Sequence, residues 1–373
     1  MKYITLIVAL LTLLTAPLAR AEWELILGTE EMGIIYTLET NGIGLYAGTE
    51  HGVFVSLDDG YSWRPTDLNH EVFAFAVGWD DAVYANGGRK HGLYRSDTLG
   101  ITWKEINNGL HTWEQDDGRP EFPFFGQILT TSSHSVIAVG HPGGTYISHN
   151  RGDSWHDVYF DKDHEWTYSH PAWEKDYKFG YDIRTMTEFD GYLWAYADSK
   201  DMYRSPDNGE TWHKLPEPDD INRISIPVLK EKFSEITHWA ALDDRLYVAA
   251  ADAFGRWNEG ELNWENLNEG LPVDDTELPA YREYLRTIYD ISTLTVNRGR
   301  IFAGVRRRQG VWVFDERSRI WFPVGLKGRH VNTLVSHQSA LYAVTDYGIY
   351  RASIPAVNVY NKLVTTWGAI KTK

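Results

Sequence analysis

Ser56-Leu57-Asp58-Asp59-Gly60-Tyr61-Ser62-Trp63 is a phrase that returns as Ser96 to Trp103, as Ser148 to Trp155 and as Ser205-Pro206-Asp207-Asn208-Gly209-Glu210-Thr211-Trp212. Its common form is Ser-x-Asp-x-Gly-x-Ser/Thr-Trp, with Thr98 in the aspartate position of the second copy and Asn150 in that of the third. Each residue type has a local reason. A short oxygen-bearing side chain accepts hydrogen bonds from backbone N–H groups inside a tight turn. Glycine (Gly60, Gly100, Gly152, Gly209) supplies a left-handed backbone, and tryptophan returns the chain into a strand where its ring is buried. The acids Asp58 and Asp207 are thereby committed to their own turns. The phrase reads as a hairpin stabiliser, not as a set of catalytic carboxylates.

Upstream of each copy runs an apolar, aromatic, small strand: Leu45-Tyr46-Ala47, Val83-Tyr84-Ala85, Val136-Ile137-Ala138 and Leu193-Trp194-Ala195. The same pattern continues without a clear phrase after it at Leu246-Tyr247-Val248, Ile301-Phe302-Ala303 and Leu341-Tyr342-Ala343, which makes seven units. A third strand sits between, as in Gly52-Val53-Phe54-Val55, Gly92-Leu93-Tyr94-Arg95, Gly310-Val311-Trp312-Val313 and Gly348-Ile349-Tyr350-Arg351. Each unit opens with an alternating or apolar strand: Ile34 to Leu38, Phe73 to Val77, Gln127 to Thr131, Ile183 to Thr187, Ile236 to Leu242, Ile291 to Val296 and Val331 to Val335. Closing strands start at Trp63, Trp103, Trp155, Trp212, Trp264 and Trp321, the last two after phrases worn down to Glu259-Gly260 and Asp315-Glu316. Repeats of this length with small residues in the tapered space between sheets predict an all-β fold, a seven-bladed β-propeller of four-stranded antiparallel blades.

The seventh unit runs out at Ala352-Ser353-Ile354-Pro355 with no tryptophan-led strand to follow. Glu22-Trp23-Glu24-Leu25-Ile26 reads like Thr102-Trp103-Lys104-Glu105-Ile106. The N-terminal strand is therefore expected to complete the last blade, removing the open end that would otherwise invite edge-to-edge pairing.

The eight-residue phrase resembles the Asp-box, or BNR repeat, of the propeller superfamily that includes bacterial sialidases, sortilin-type receptors, xyloglucanases and the photosystem II assembly factors. The sialidase resemblance implies three arginines reaching the channel from different blades, a paired Tyr and Glu, and an acid-base Asp. Across the seven opening strands only Arg184 stands in such a place. Ser225-Ile226-Pro227 is the nearest match to the Arg-Ile-Pro phrase of those enzymes and lacks its arginine. The xyloglucanase resemblance implies two propellers around a cleft, and there is one here. The assembly-factor and sortilin resemblances imply non-catalytic binding of protein or peptide. Fold alone does not choose among these.

The composition agrees with strands and turns. The chain of 373 residues carries 16 Trp, 22 Tyr, 14 Phe and 32 Gly against 4 Met, and it has no cysteine. That excludes disulfides, thiol catalysis and zinc-thiolate sites. With 36 Lys plus Arg against 52 Asp plus Glu, the net charge of −16 gives no basic surface for nucleic acid. Met1-Lys2, the apolar run Ile4 to Leu14, Pro17 and Ala19-Arg20-Ala21 read as a signal peptide cleaved after Ala21, the run being shorter than the ~20 residues that span a bilayer. The expected organisation is leader 1–21, propeller 22–356 and a mildly basic tail 357–373, in a periplasmic or secreted monomer without a transmembrane segment after cleavage.

Turns between the first and second strands and between the third and fourth lie on one face of such a ring. The remaining loops lie on the other, the usual place for binding. The long insertions fall there, between blades: His111 to Phe124, Phe160 to Tyr181, Pro216 to Ser234 and Pro272 to Ile288. Trp166, Trp173 and Tyr177 make the second of these an aromatic platform for a sugar or peptide, or a loop fastened by its own side chains. His164 and His170 lack a diagnostic metal spacing, so no metal and no cofactor is assigned. Asp198 and Asp252 form a carboxylate pair whose separation decides any hydrolytic use. Arg306-Arg307-Arg308 stands out in so acidic a chain, either as a bidentate grip on an acidic partner or as a solvated loop. The expectation is a non-catalytic protein that binds a protein or glycan through the loop face, the competing reading being a glycoside hydrolase of sialidase type.

Overall fold

The computed structural model describes residues 21–354 except 115–118, 142–143, 159–165, 169–176, 180–182, 198–200, 216–235, 251–252, 260–262 and 273–290. Seven four-stranded antiparallel sheets follow one another along the chain. Strands A to D of blade 1 are Ile35–Thr40, Leu45–Thr49, Gly52–Ser56 and Arg64–Pro65. Blade 4 has Ile183–Phe189, Tyr192–Ala197, Met202–Ser205 and His213–Lys214, and blade 5 has Ile236–Leu242, Arg245–Ala250, Ala253–Asn258 and Asn263–Asn266. Blade 6 has Ile291–Asn297, Arg300–Val305, Gly310–Asp315 and Ile320–Gly325. Helix is confined, among the described residues, to the single turn Thr29–Met32.

The ring closes as the sequence predicts. Blade 7 takes strands A to C from Val331–His337, Ala340–Thr345 and Gly348–Ser353, and strand D from Trp23–Gly28, in the register Trp23↔Ala352 and Gly28↔Gly348. Ala21 is already buried in the cluster formed with Val324, Leu341 and Ile354.

Strand B is sandwiched between neighbouring blades, so both its faces are apolar, and all five residues Leu45–Thr49 are buried. The central small residue lets the sheets approach: Ala47, Ala85, Ala138, Ala195, Ala303 and Ala343 are fully buried. The aromatic residue before it packs on the C–D turn of the next blade. A Cβ on Gly100 of the second phrase would lie 2.7 Å from Tyr46, and one on Gly60 would lie 3.4 Å from Tyr342. Adding a side chain to Gly100 therefore meets both a left-handed backbone, φ 77°, and a buried ring.

The four phrases form one hydrogen-bonded turn. In the first, the buried Ser56 Oγ donates to Asp58 Oδ1 (2.8 Å) and accepts from Gly60 N (2.9 Å), while Asp58 accepts from Ser62 N (2.8 Å) and Ser62 Oγ (2.6 Å). Ser205, Asp207, Gly209 and Thr211 repeat this pattern. Asn150 replaces the acid between Ser148 and Ser154, and Thr98 replaces it between Ser96 and Thr102. Two successive left-handed residues complete each turn, for example Asp59 and Gly60.

Two expectations need adjusting. Trp63, Trp103, Trp155 and Trp212 end the turns, and strand D starts at the residue after each. Strand A of blade 2 begins at Ala74, not Phe73. Three of these tryptophans donate to their own turn (Trp63, Trp103 and Trp212 to Gly60, Gly100 and Gly209), whereas Trp155 Nε1 reaches back to Ile106 O (2.6 Å) of blade 2.

Candidate functional site

Strand A lines the channel, and near the loop-rich face it carries a β-bulge in six blades. The pairing with strand B slips beside Tyr36, Gly126, Arg184, Thr237, Ser292 and Asn332. A bulge places two residues opposite one and re-aims a side chain. The residue after it is polar in each blade: Thr37, Gln127, Thr185, His238, Thr293 and Thr333. These polar groups tie the inner edges of adjacent blades. Gln127 Nε2 donates to Met186 O (2.9 Å) and its Oε1 accepts from Met186 N (2.8 Å), and Trp239 Nε1 donates to Thr185 Oγ1 (3.1 Å).

His238 departs from this pattern. Its Nδ1 is buried without a hydrogen-bond partner, and burial, with the nearby Arg306 guanidinium adding to it, pushes the imidazole down to about 4. It is therefore a neutral ring at pH 7. His238 and the exposed Arg184 both line a cavity of about 340 Å³ that runs along strands A of blades 1 to 5. Arg306 of blade 6 thus lies near enough to act on the neutral imidazole of blade 5, and Arg184 of blade 4 lines the same cavity as that imidazole. Both arginines also interact with other described groups.

The Arg306-Arg307-Arg308 run lies in the loop between strands B and C of blade 6. Arg307 and Arg308 are left-handed, φ 53° and 64°, and make the B–C turn of blade 6. Arg307 N donates to His330 Nδ1 (3.1 Å), and Arg308 O accepts from Gly328 N (2.7 Å). Arg306 is the member whose charge reaches the channel residue His238.

The other expected binding residues fall elsewhere. Trp173, Asp198 and Asp252 lie outside the described residues. Trp166–Tyr168 pairs with Tyr177–Phe179 as a two-stranded hairpin, and the side chains of Trp166 and Tyr177 lie outside the described residues. Among the described residues no group of three or more His, Asp or Glu is placed to hold a metal ion. No described helix is long and apolar enough to cross a membrane.

Sequence reading missed an arginine on strand C, one residue before the turn. Arg95 Nε is paired with Asp97 (3.1 Å) and its Nη1 with Asp153 of the next blade (3.2 Å), and it also donates to Arg151 O. Arg204 meets Glu259 (3.1 Å), Arg256 meets Glu316 (2.7 Å), and Arg351 Nε donates to Tyr342 Oη (3.0 Å). The repeated Tyr-Arg at 94–95, 203–204 and 350–351 was the available signal.

Residues 145–353, more than half of the chain, match the family described as the DUF6242 β-propeller domain. The chain belongs to that family. No curated protein matches the sequence. Among solved structures, the DUF6242 propeller is similar to the extracellular domain of the two component system BT4673 of B. thetaiotaomicron, with 12% identity and a TM-score of 0.59, covering 89% of this chain and 40% of that one. It thus spans well under half the length of that domain. A structure described as YCF48 bound to D1 peptide aligns at 11% identity and a TM-score of 0.55, covering 90% and 96%. An ancestral GH74 enzyme aligns at 16% identity and 0.58, covering 92% and 46%. At such identities these likenesses establish the fold of the DUF6242 propeller and nothing finer.

Proposed function

We propose that this DUF6242 propeller is an exported, non-catalytic Asp-box protein that binds a peptide or protein partner through its loop-rich face. In this reading residues 1–21 are a cleaved leader, 22–356 the propeller and 357–373 a tail, and the molecule is a monomer. The observation that carries it is the exposed Arg184 lining the channel cavity together with the neutral His238, whose buried Nδ1 lacks a partner and whose imidazole feels Arg306. A guanidinium in the cavity and a second one acting on its neutral imidazole suit a peptide carboxylate. That YCF48, of the same fold, has been seen bound to D1 peptide supports a peptide partner. The single arginine on the described A strands gives little support to a sialidase-type clamp.

Fluorescence anisotropy with a labelled peptide library, each member made with a free and an amidated C-terminus, tests the proposal. The free-acid forms are expected to bind better, and Arg184→Ala and Arg306→Ala to weaken them by about tenfold each. Equal binding by the amidated forms and both variants overturns it. Turnover of a fluorogenic sialoside by the wild type overturns the non-catalytic reading.

A further inference from the structure

We propose that the seam between blades 4 and 5, on the face opposite the loops, is a pocket for an uncharged saccharide. This does not depend on the peptide reading. Blade 5 keeps the eight-residue spacing of the turn from Trp257 to Trp264, but Trp257 stands where Ser56 stands in blade 1, and Glu259 where Asp58 stands. Trp257 Nε1 donates to Glu259 Oε2 (2.6 Å), so the bond from residue i to residue i+2 survives with larger partners. The longer side chain carries the carboxylate out of its own turn to Arg204 of blade 4 (3.1 Å). Blade 6 follows the same rule. Phe314 holds the serine position, and Glu316 reaches back to Tyr247 Oη (2.9 Å), Arg256 (2.7 Å) and Arg245 of blade 5.

At the seams beside blade 1 the turn glycine covers the preceding blade's strand-B tyrosine. At the blade 4–5 seam Trp194 takes the tyrosine position and borders a cavity of about 590 Å³. That volume is within the ~300–1,000 Å³ of small-ligand pockets. Three guanidiniums (Arg204, Arg245, Arg256) face four carboxylates, Glu259 and Glu265 among them, so the walls nearly cancel in charge. Neither an anion nor a cation is favoured there. The pairs Arg204–Glu259 (3.1 Å) and Arg256–Glu265 (2.5 Å) set donors and acceptors side by side, the arrangement that neighbouring hydroxyls satisfy. Arg204 is held in place 4.4 Å over the Tyr192 ring, and Trp194 and Trp257 supply apolar lining, so the pocket is built before a ligand arrives.

The test is a glycan array of neutral and anionic saccharides on the full propeller, followed by calorimetry with the best neutral hit. Arg204→Ala and Asp244→Ala are each expected to weaken that hit about tenfold, with Arg184→Ala leaving it unchanged. Asp244 lines the cavity with its side chain 93% exposed, so its variant reports on binding even if Arg204→Ala fails to fold. The proposal is overturned if no neutral saccharide binds at millimolar concentration, if anionic saccharides bind in preference, if Asp244→Ala leaves binding intact, or if Arg184→Ala abolishes it.

Discussion

The hydroxyl of Tyr342, on strand B of blade 7, donates to the backbone carbonyl of Asp59 in the first turn of blade 1 at 2.9 Å. Together with His337, whose Nε2 lies 3.1 Å from Asp59 Oδ1, it fastens the last blade to the first by side chains, independently of the shared sheet. The two closures are separable. Deleting residues 22–27 removes the outer strand and should lower Tm on the order of 10 °C and produce oligomers in light scattering. Tyr342→Phe keeps the sheet and removes two hydrogen bonds, the one to Asp59 O and the one from Arg351 Nε, so it should cost about 1–3 kcal/mol, a few °C, with the protein still monomeric. A deletion variant as stable and monodisperse as the parent would refute closure by strand pairing.

The buried serine hydroxyls should matter more than their size suggests. Ser56 and Ser205 each satisfy a glycine N–H within a turn, at 2.9 and 2.8 Å. Ser56→Ala and Ser205→Ala leave that donor without a partner and should each destabilise by about 1–3 kcal/mol in urea titrations. Effects below a few tenths would mean that the turn rearranges without them.

Acid should loosen these turns unequally. The Ser62 hydroxyl and amide hold Asp58 below the ordinary carboxylate range, and the Thr211 hydroxyl and amide outweigh slight burial to do the same for Asp207. A depressed carboxyl contributes stability above its unfolded-state value and loses it as pH falls through the native one. The Asp58→Asn/Asp207→Asn variant should therefore show a shallower fall in Tm from pH 5 to pH 2 than the parent. Parallel curves would contradict this.

His238 should titrate well below an exposed histidine. Its value of about 4, set by burial and then by Arg306, means the neutral ring is retained down to mildly acidic pH, and folding loses stability as pH drops from about 6.5 towards 4. An NMR titration of Arg306→Ala should move the His238 midpoint upward, by less than the part due to burial. An unchanged midpoint would separate the two groups.

How much of this was legible in the sequence depends on the range of the chemistry involved. Ser56, Asp58, Gly60 and Trp63 act within eight consecutive residues, so their letters carry the turn. The strand at Trp23 was legible because its pattern repeats the strand at Trp103. The fifth and sixth turns were legible only through spacing and their closing Trp264 and Trp321, because Trp257 and Phe314 replace the serine and Glu259 and Glu316 the aspartate. The approach of Arg306 to His238 joins residues of different blades, and the bulge beside Arg184 is a property of pairing that no local pattern encodes.

Pairing Trp23 with Ala352 also orders events in time. Of the described strands the first is the partner of the last, so Trp23–Gly28 stays unpaired until Gly348–Ser353 has been made. Joining sequence ends this distant carries the largest loop entropy in the molecule, which makes it the natural late step of folding. Until then the segment is available to a chaperone, and afterwards its edge is paired and Leu27 is buried while Leu25 stays exposed.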